Sequence, residues 1–350
     1  MSLSRNSLAS LLASSEPLII HHWDADGLAA AVTAASFSHG RADFVVPPFT
    51  YTPSREFIAK VADMASGKDL VVLVDYNISP ESLASLVSGT RKPVVVIDHH
   101  VSAYPRVPNL YYYNPASQGD PEGLWPSAAH VLADAIGFYD PLLIAMSIYG
   151  DLQEEAPRNR VFRYYMEQIG LDPDQDVEIP RSCAMQVWGA EAAGDAELLG
   201  SLAYELAYGG VDPCQAIMSD PRLTNHRLRA EEEVERAFRE AVGKGSRRGK
   251  AGVYNVILKM RVAGAVARRL AAATDLPVVI LVARESEAGP SKIYVRGDIS
   301  DPLRVIRELR GVGLRAAGKS QRGNNVVVVD IGHGDVKAAL EKVVDVINAI

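Results

Sequence analysis

The sequence predicts an α/β protein of two domains, an N-terminal one built on a parallel sheet with a helical insert and a smaller C-terminal one. Three observations predict it. Over residues 1 to about 115, short apolar runs alternate with helix-like stretches. From about 120 to 224 the pattern is helical, and after residue 250 the α/β alternation resumes. A chain of 350 residues also suits two domains of roughly 150.

Taken in order, PLIIHHW (17–23), ADFVVPP (42–48), DLVVLVD (69–75) and KPVVVID (92–98) read as strands rich in β-branched residues. Between them lie GLAAAVTAASF, SREFIAKVADMA and a segment opening Ser79-Pro80-Glu81, which has a capping hydroxyl, a first-turn proline and an acid. Continuous apolar strands separated by helices imply a parallel sheet covered on both faces. The helical part holds LWPSAAHVLADAIG, DPLLIAMSIYGDL, RVFRYYMEQIG and DAELLGSLAYELAYGG. A charged helix, HRLRAEEEVERAFREAV, then runs into Lys244-Gly-Ser-Arg-Arg-Gly-Lys250, so 225–250 reads as connecting helix and linker. Over 251–350 the expected strands are GVYNVILKM, LPVVILVAR, SKIYVRG and NNVVVVDIG. Helices are expected around VAGAVARRLAAAT, DPLRVIRELR and the C-terminus.

Thirty-six Lys and Arg against 43 Asp and Glu give a net charge of −7, which argues against a general grip on duplex nucleic acid. Two cysteines, Cys183 and Cys214, supply neither a disulfide framework nor a zinc pattern. The N-terminus is too polar for a signal peptide and no apolar run reaches membrane-spanning length, so a cytoplasmic protein is expected.

The acids are the informative residues. Asp24 and Asp26 follow the first strand, Asp75 closes the third, Asp98-His99-His100 close the fourth, and Asp151 closes LLIAMSIYG. The carboxyl ends of parallel strands share one edge, where ligands bind. Four of the eight histidines fall in two His-His pairs there. Such oxygen and imidazole ligands without thiolate suit Mn²⁺ or Mg²⁺, with Fe²⁺ or Zn²⁺ as further options. A lone Asp at a strand end is usually a helix cap. Five together raise one another's pKa, and two divalent cations, one Asp bridging them, would remove that conflict. A cation pair makes a clamp for in-line displacement at phosphorus. Strand parity puts His22 and Asp24 on one face and His21 on the other, so His22 is the site residue and His21 packs or caps. Gly27 is expected to let the chain turn into the helix beginning GLAAA.

At these residues the sequence resembles the DHH phosphoesterase superfamily: His22-Trp23-Asp24-Ala25-Asp26-Gly27, Asp75 ending its strand, Asp98-His99-His100 and Gly150-Asp151 occur in the family's order. YVRGD (294–298) and GVGLRAAGKS (311–320) resemble the DHH-associated C-terminal domain. The resemblance implies a catalytic domain over 1–224, a substrate-binding domain over 251–350 and an active site in the cleft between them. It implies that Asp24, with His22, holds a first metal, that Asp26, His99 and Asp151 hold a second, and that Asp75 bridges. It further implies that His100 contacts the scissile phosphate or assists the leaving group, that the buried Asp98 orients the histidines, and that the nucleophile is a metal-activated water. Two Mn²⁺ ions are expected, with Mg²⁺ as the alternative.

In the C-terminal half the resemblance implies substrate contacts at Arg296, Gly311, Gly313, Arg315, Ala317 and Gly318. Here Gly313 stands where the family's loop carries histidine, so the imidazole contact is missing while loop N–H groups remain to cradle a phosphate. Arg304, Arg307, Arg310, Arg315, Lys319 and Arg322 form a cationic run. Helical inserts around Tyr111-Tyr112-Tyr113 and Trp125 offer aromatic surface, but these residues are expected in the core rather than the site. The function expected is metal-dependent hydrolysis of short oligonucleotides or small nucleotides, such as nanoRNA, phosphoadenosine phosphate or cyclic dinucleotides. The alternatives are a RecJ-like single-strand exonuclease of repair or replication, and a non-catalytic replication subunit. Partners expected are the nucleotide substrate, single-stranded nucleic acid under the exonuclease reading, no membrane, and a second copy of the chain as a homodimer.

Overall fold

A computed structural model describes residues 1–285, 289–319 and 325–350; Ser320 and Arg322, from the loop motif and the basic run, lie outside the described residues. The chain forms two compact units, Met1–Arg227 and Leu228–Ile350.

The first unit carries a five-stranded sheet of β1 (Pro17–His21), β2 (Asp43–Val45), β3 (Leu70–Val74), β4 (Val94–Ile97) and β5 (Leu110–Tyr113). The strands run parallel in the order β2-β1-β3-β4-β5. The four expected strands form where the β-branched runs place them. The fifth departs from the helical insert expected there: Leu110-Tyr111-Tyr112-Tyr113 pairs with β4, as three consecutive β-prone aromatics allow. Register then aligns the strand ends: His21 pairs with Val74, Val74 with Ile97 and Ile97 with Tyr113. The next residues in each chain segment, His22, Asp75 and Asp98, therefore emerge side by side. Strand order reverses between β1 and β3, and open α/β sheets bind ligands at such a switch point.

Helices of this unit are α1 (Arg5–Ala13), α2 (Ala25–Phe37), α3 (Arg55–Met64), α4 (Pro80–Thr90), α5 (Ala128–Ile136), α6 (Pro141–Leu152), α7 (Arg160–Gln168), α8 (Glu178–Ala193), α9 (Ala196–Tyr208) and α10 (Pro213–Ser219). Eleven successive residues of α2, Ala25 to Ala35, are buried, as its apolar composition on every face requires. It packs against α5, α6 and α9.

Helix α11 (Pro221–Lys244) contains the division between the units. Inside the stretch expected as linker, Ser246–Arg248 forms a short edge strand, β6, antiparallel to β7 (Ala251–Ile257), with Gly249 at φ +64° in the turn. The sheet of the second unit continues through β8 (Val278–Arg284), β9 (Ser291–Gly297), β10 (Arg315–Lys319) and β11 (Val326–Gly332), in the order β10-β11-β9-β8-β7-β6. Its core also draws on α13 (Pro302–Gly311) and α14 (Val336–Ala349), and α12 (Ala263–Ala273) packs on β8 and β9. Strand β10 lies where a loop is expected. It converts the Ala316-Ala317-Gly318 motif from loop to ladder, with Gly318 opposite Val327, where a Cβ would strike the Val326 carbonyl. No described helix is long and apolar enough to cross a membrane.

Candidate metal centre

The site grows from the aligned strand ends. His21, the last residue of β1, is fully buried; its ring meets Phe44 edge-on and its Nδ1 bonds the His22 carbonyl at 2.8 Å. Burial holds its pKa down at about 4. His22 turns the opposite way, its Nδ1 2.7 Å from Asp24 Oδ2 and 3.4 Å from Asp75 Oδ2. Asp24 is also the N-cap of α2, Oδ1 accepting the Gly27 N–H at 2.9 Å. One carboxylate oxygen of this residue thus caps the helix and the other faces His22. Burial would raise the Asp24 carboxyl, but the adjacent His22 outweighs it and brings the pKa to about 2.

Gly27 does not turn the chain: α2 has already begun at Ala25. Its missing side chain lets the helix lie against β1, since a Cβ there would run into the His22 backbone carbonyl. That approach carries Asp26 to the N-terminus of α5, where Oδ2 accepts the Ala128 N–H at 2.7 Å and Oδ1 the Ala129 N–H at 2.9 Å. Even so, burial and then the charge of Asp151 push Asp26 up to about 7.

Asp75 sits just past β3 with φ +55°, a left-handed conformation uncommon outside glycine. Its Oδ2 faces His22, while Oδ1 lies 3.6 Å from His99 Nε2 and 3.7 Å from His100 Nδ1. That Oδ1 is buried and accepts no hydrogen bond. Burial, then the charges of Asp26, Asp24, Asp151 and Asp98, drives this carboxyl well above its ordinary range.

Asp98, with no exposed surface, organises the second His-His pair. Its Oδ1 accepts the His99 N–H (2.7 Å), the His100 N–H (3.0 Å) and His100 Nδ1 (2.8 Å). Burial opposes its ionisation, but His100 and then His99 overcome it and lower its pKa. His99 Nδ1 donates to the Trp125 carbonyl at 3.1 Å, which turns Nε2 toward Asp151 Oδ2 (3.2 Å) and Asp26 Oδ2 (3.8 Å). Asp151 comes from the last turn of α6, not from a strand end. Asn114, next after β5, ties the His100 carbonyl at 2.7 Å.

All eight residues expected in this region therefore converge. Their ligand atoms fall into groups lying within 4.8 Å: His22, Asp24 and Asp75; Asp26, His99 and Asp151; and Asp75, Asp98, His99 and His100. A buried carboxylate oxygen without a hydrogen bond, two imidazoles presenting a ring nitrogen to carboxylates and a set of oxygen and nitrogen donors all fit divalent cations. Sequence reasoning missed three supports: Tyr51, whose hydroxyl lies 2.9 Å from His22 Nε2, the Trp125 carbonyl and Asn114. A tyrosine between prolines in a non-periodic loop was the one visible signal.

The expected substrate residues lie in the second unit. Arg296 is the sixth residue of β9, not a residue following the strand, and it is buried. Burial and then the charge of Arg268 lower its pKa to about 10. Gly311 ends α13 and Gly313 follows it at φ +84°. The loop N–H groups expected to cradle a phosphate cap that helix: Val312 donates to Glu308, Gly313 to Arg310 and Leu314 to Leu309. Arg315, Ala317 and Gly318 lie on β10, with Arg315 3.6 Å from Asp330. In the basic run, Arg310 bonds the Ala316 carbonyl at 2.9 Å.

Comparison with known proteins agrees with this architecture. No curated protein matches the chain. Among solved structures, RecJ from Thermus thermophilus in complex with Mn²⁺ is similar, with a TM-score of 0.67 and 21% identity over 99% of this chain and 55% of that one. The chain thus spans little more than half of that RecJ. An exonuclease RecJ bound to manganese has a TM-score of 0.61 and 20% identity over 99% of this chain and 94% of its own. The pGpG-specific phosphodiesterase PggH from Vibrio has a TM-score of 0.52 and 14% identity, covering 95% of this chain and 99% of its own. The DHH family N-terminal domain matches residues 17–146, the segment that supplies every ligand group described above except Asp151. Residues 17–146 thus match the DHH family N-terminal domain, with the His22-to-Gly27, Asp75 and Asp98-His99-His100 motifs gathered at one sheet edge.

Proposed function

We propose that this protein is a metal-dependent phosphodiesterase that hydrolyses short oligonucleotides or small nucleotides of the nanoRNA, phosphoadenosine phosphate or cyclic-dinucleotide type. The observation that carries this reading is Asp75, whose two oxygens face two separate His/Asp groups. His22, Asp24 and Asp75 Oδ2 would hold one divalent cation, and Asp26, His99, Asp151 and Asp75 Oδ1 a second. Mn²⁺ is the first choice and Mg²⁺ the alternative. When bound, such a pair supplies Lewis-acid charge at a phosphoryl oxygen and a nucleophilic water at neutral pH. Asp98 holds the His100 ring through Nδ1 and leaves Nε2 to meet the scissile phosphate or give a proton to the departing oxygen. His100 is the more exposed of the two paired imidazoles, as contact with a substrate requires. In the second unit, Arg296 is the residue whose guanidinium would bind a nucleotide phosphate, as the YVRGD motif implies.

The test is Mn²⁺-dependent hydrolysis of a dinucleotide, a five-mer, a twenty-mer, phosphoadenosine phosphate and a cyclic dinucleotide, with Asp75→Asn as control. Fastest turnover on the shortest substrates is expected. The similarity to two RecJ structures favours a second reading, a single-strand exonuclease, which release of mononucleotides from the twenty-mer in preference would establish. Hydrolysis unaffected by Asp75→Asn would sink both.

A further inference from the structure

Beside the centre the first unit builds an aromatic wall. Trp23 and Tyr76 are buried, and their rings pack on Tyr51 with centroids 5.4 and 6.2 Å away. Tyr51 itself is 51% exposed. A single apolar side chain at the surface needs no explanation, but this one is anchored on several sides. Its hydroxyl lies 2.9 Å from His22 Nε2, with the two rings close to parallel at 22°. The Tyr76 hydroxyl donates to the Thr50 carbonyl at 2.7 Å, and the Thr52 N–H donates to Thr50 Oγ1 at 3.2 Å, so the loop is tied down around the ring. His22 in turn lies 3.4 Å from Asp75 Oδ2, the carboxylate at the middle of the centre. A ring already fixed, yet half open to solvent, loses little freedom when something stacks on it.

We propose that Tyr51 is a stacking platform for the nucleobase adjoining the phosphate held at the centre. The inference rests on the phosphodiesterase reading above and deepens it: a substrate engaged in this way carries a base, which separates nucleotides from inorganic polyphosphate. Stacking asks only for a π-face, which every base has, so the platform accepts all four. The hydroxyl end of Tyr51 meets His22 while the ring meets the base. The two duties use different atoms and come apart on substitution.

Calorimetric titration with adenosine 5′-monophosphate and with ribose 5-phosphate, both in Mn²⁺, tests this, because the two ligands share sugar and phosphate and differ in the base. Wild-type protein is expected to bind the nucleotide about 5- to 100-fold more tightly. Tyr51→Phe and Tyr51→Trp keep a ring without the hydroxyl and should keep that advantage. Tyr51→Leu should abolish it while binding ribose 5-phosphate as wild type does, which also shows that the variant is folded. A nucleotide advantage that survives Tyr51→Leu, or one lost with Tyr51→Phe and Tyr51→Trp alike, would overturn the assignment. So would equal weakening of both ligands by Tyr51→Leu, the result expected if the side chain only supports His22. Wild type that binds both ligands equally removes the platform alone; wild type that binds neither removes the phosphate reading of the centre and the platform with it.

Discussion

Asp26 is held by two helix N–H groups and still titrates near neutrality, because burial and the Asp151 charge outweigh those donors. In an unfolded chain the same carboxyl ionises near 3.8, whereas in the metal-free fold it does so near 7. Between those values the fold retains a proton that the unfolded chain has released, so stability is full below about 4 and falls as pH rises through about 7. Melting followed against pH in a chelator should show that decline, Asp26→Asn should flatten it, and Mn²⁺ should reverse it at neutral pH. Residues of this kind were legible in the sequence because all but Asp151, which lies in the last turn of α6, fall within five positions of a strand end that hydrophobic patterning locates. The Trp125 carbonyl was not, since a main-chain acceptor carries no side-chain signature, and Tyr51 reaches His22 only through the fold of a loop with no period.

The junction of β1 and α2 shows what the element scale adds. Gly27→Ala would press a Cβ into the His22 backbone and should cost about 1–3 kcal/mol in urea unfolding, with weaker Mn²⁺ uptake as well. Gly264, in α12, has nothing near the place a Cβ would occupy, and Gly264→Ala should stabilise by about 0.5–1 kcal/mol. Identical substitutions of opposite sign separate a glycine required by close approach from one that is not. Most regular elements were legible because their periods are strong; helices α1, α8 and α10 and strands β5, β6 and β10 were not. The three strands are short and sit at a sheet edge, where the neighbouring strand rather than the local sequence decides pairing. For β10 the miss mattered, because it recast a phosphate-cradling loop as a helix cap followed by a ladder.

For the whole molecule, a net charge of −7 bears on substrate length. A hydrolase that contacts one or two phosphates should lose little kcat/KM on a dinucleotide between about 50 and 200 mM salt, whereas binding that tracks a long strand would fall steeply, with a log–log slope of about −0.7 for each phosphate contacted. Measuring that slope on the dinucleotide and the twenty-mer reads the contact number directly. Stability of the whole chain is tied to Asp75 in the opposite sense from activity. That residue sits in a left-handed backbone, buried among four other carboxylates. Asparagine tolerates that conformation and carries no charge, so Asp75→Asn should melt higher than wild type whenever metal is withheld, while hydrolysing nothing. Laboratory evolution of this protein for heat resistance in the presence of a chelator would accordingly enrich inactive survivors, with replacements at position 75 among the first. The same screen run in Mn²⁺ would retain the acid.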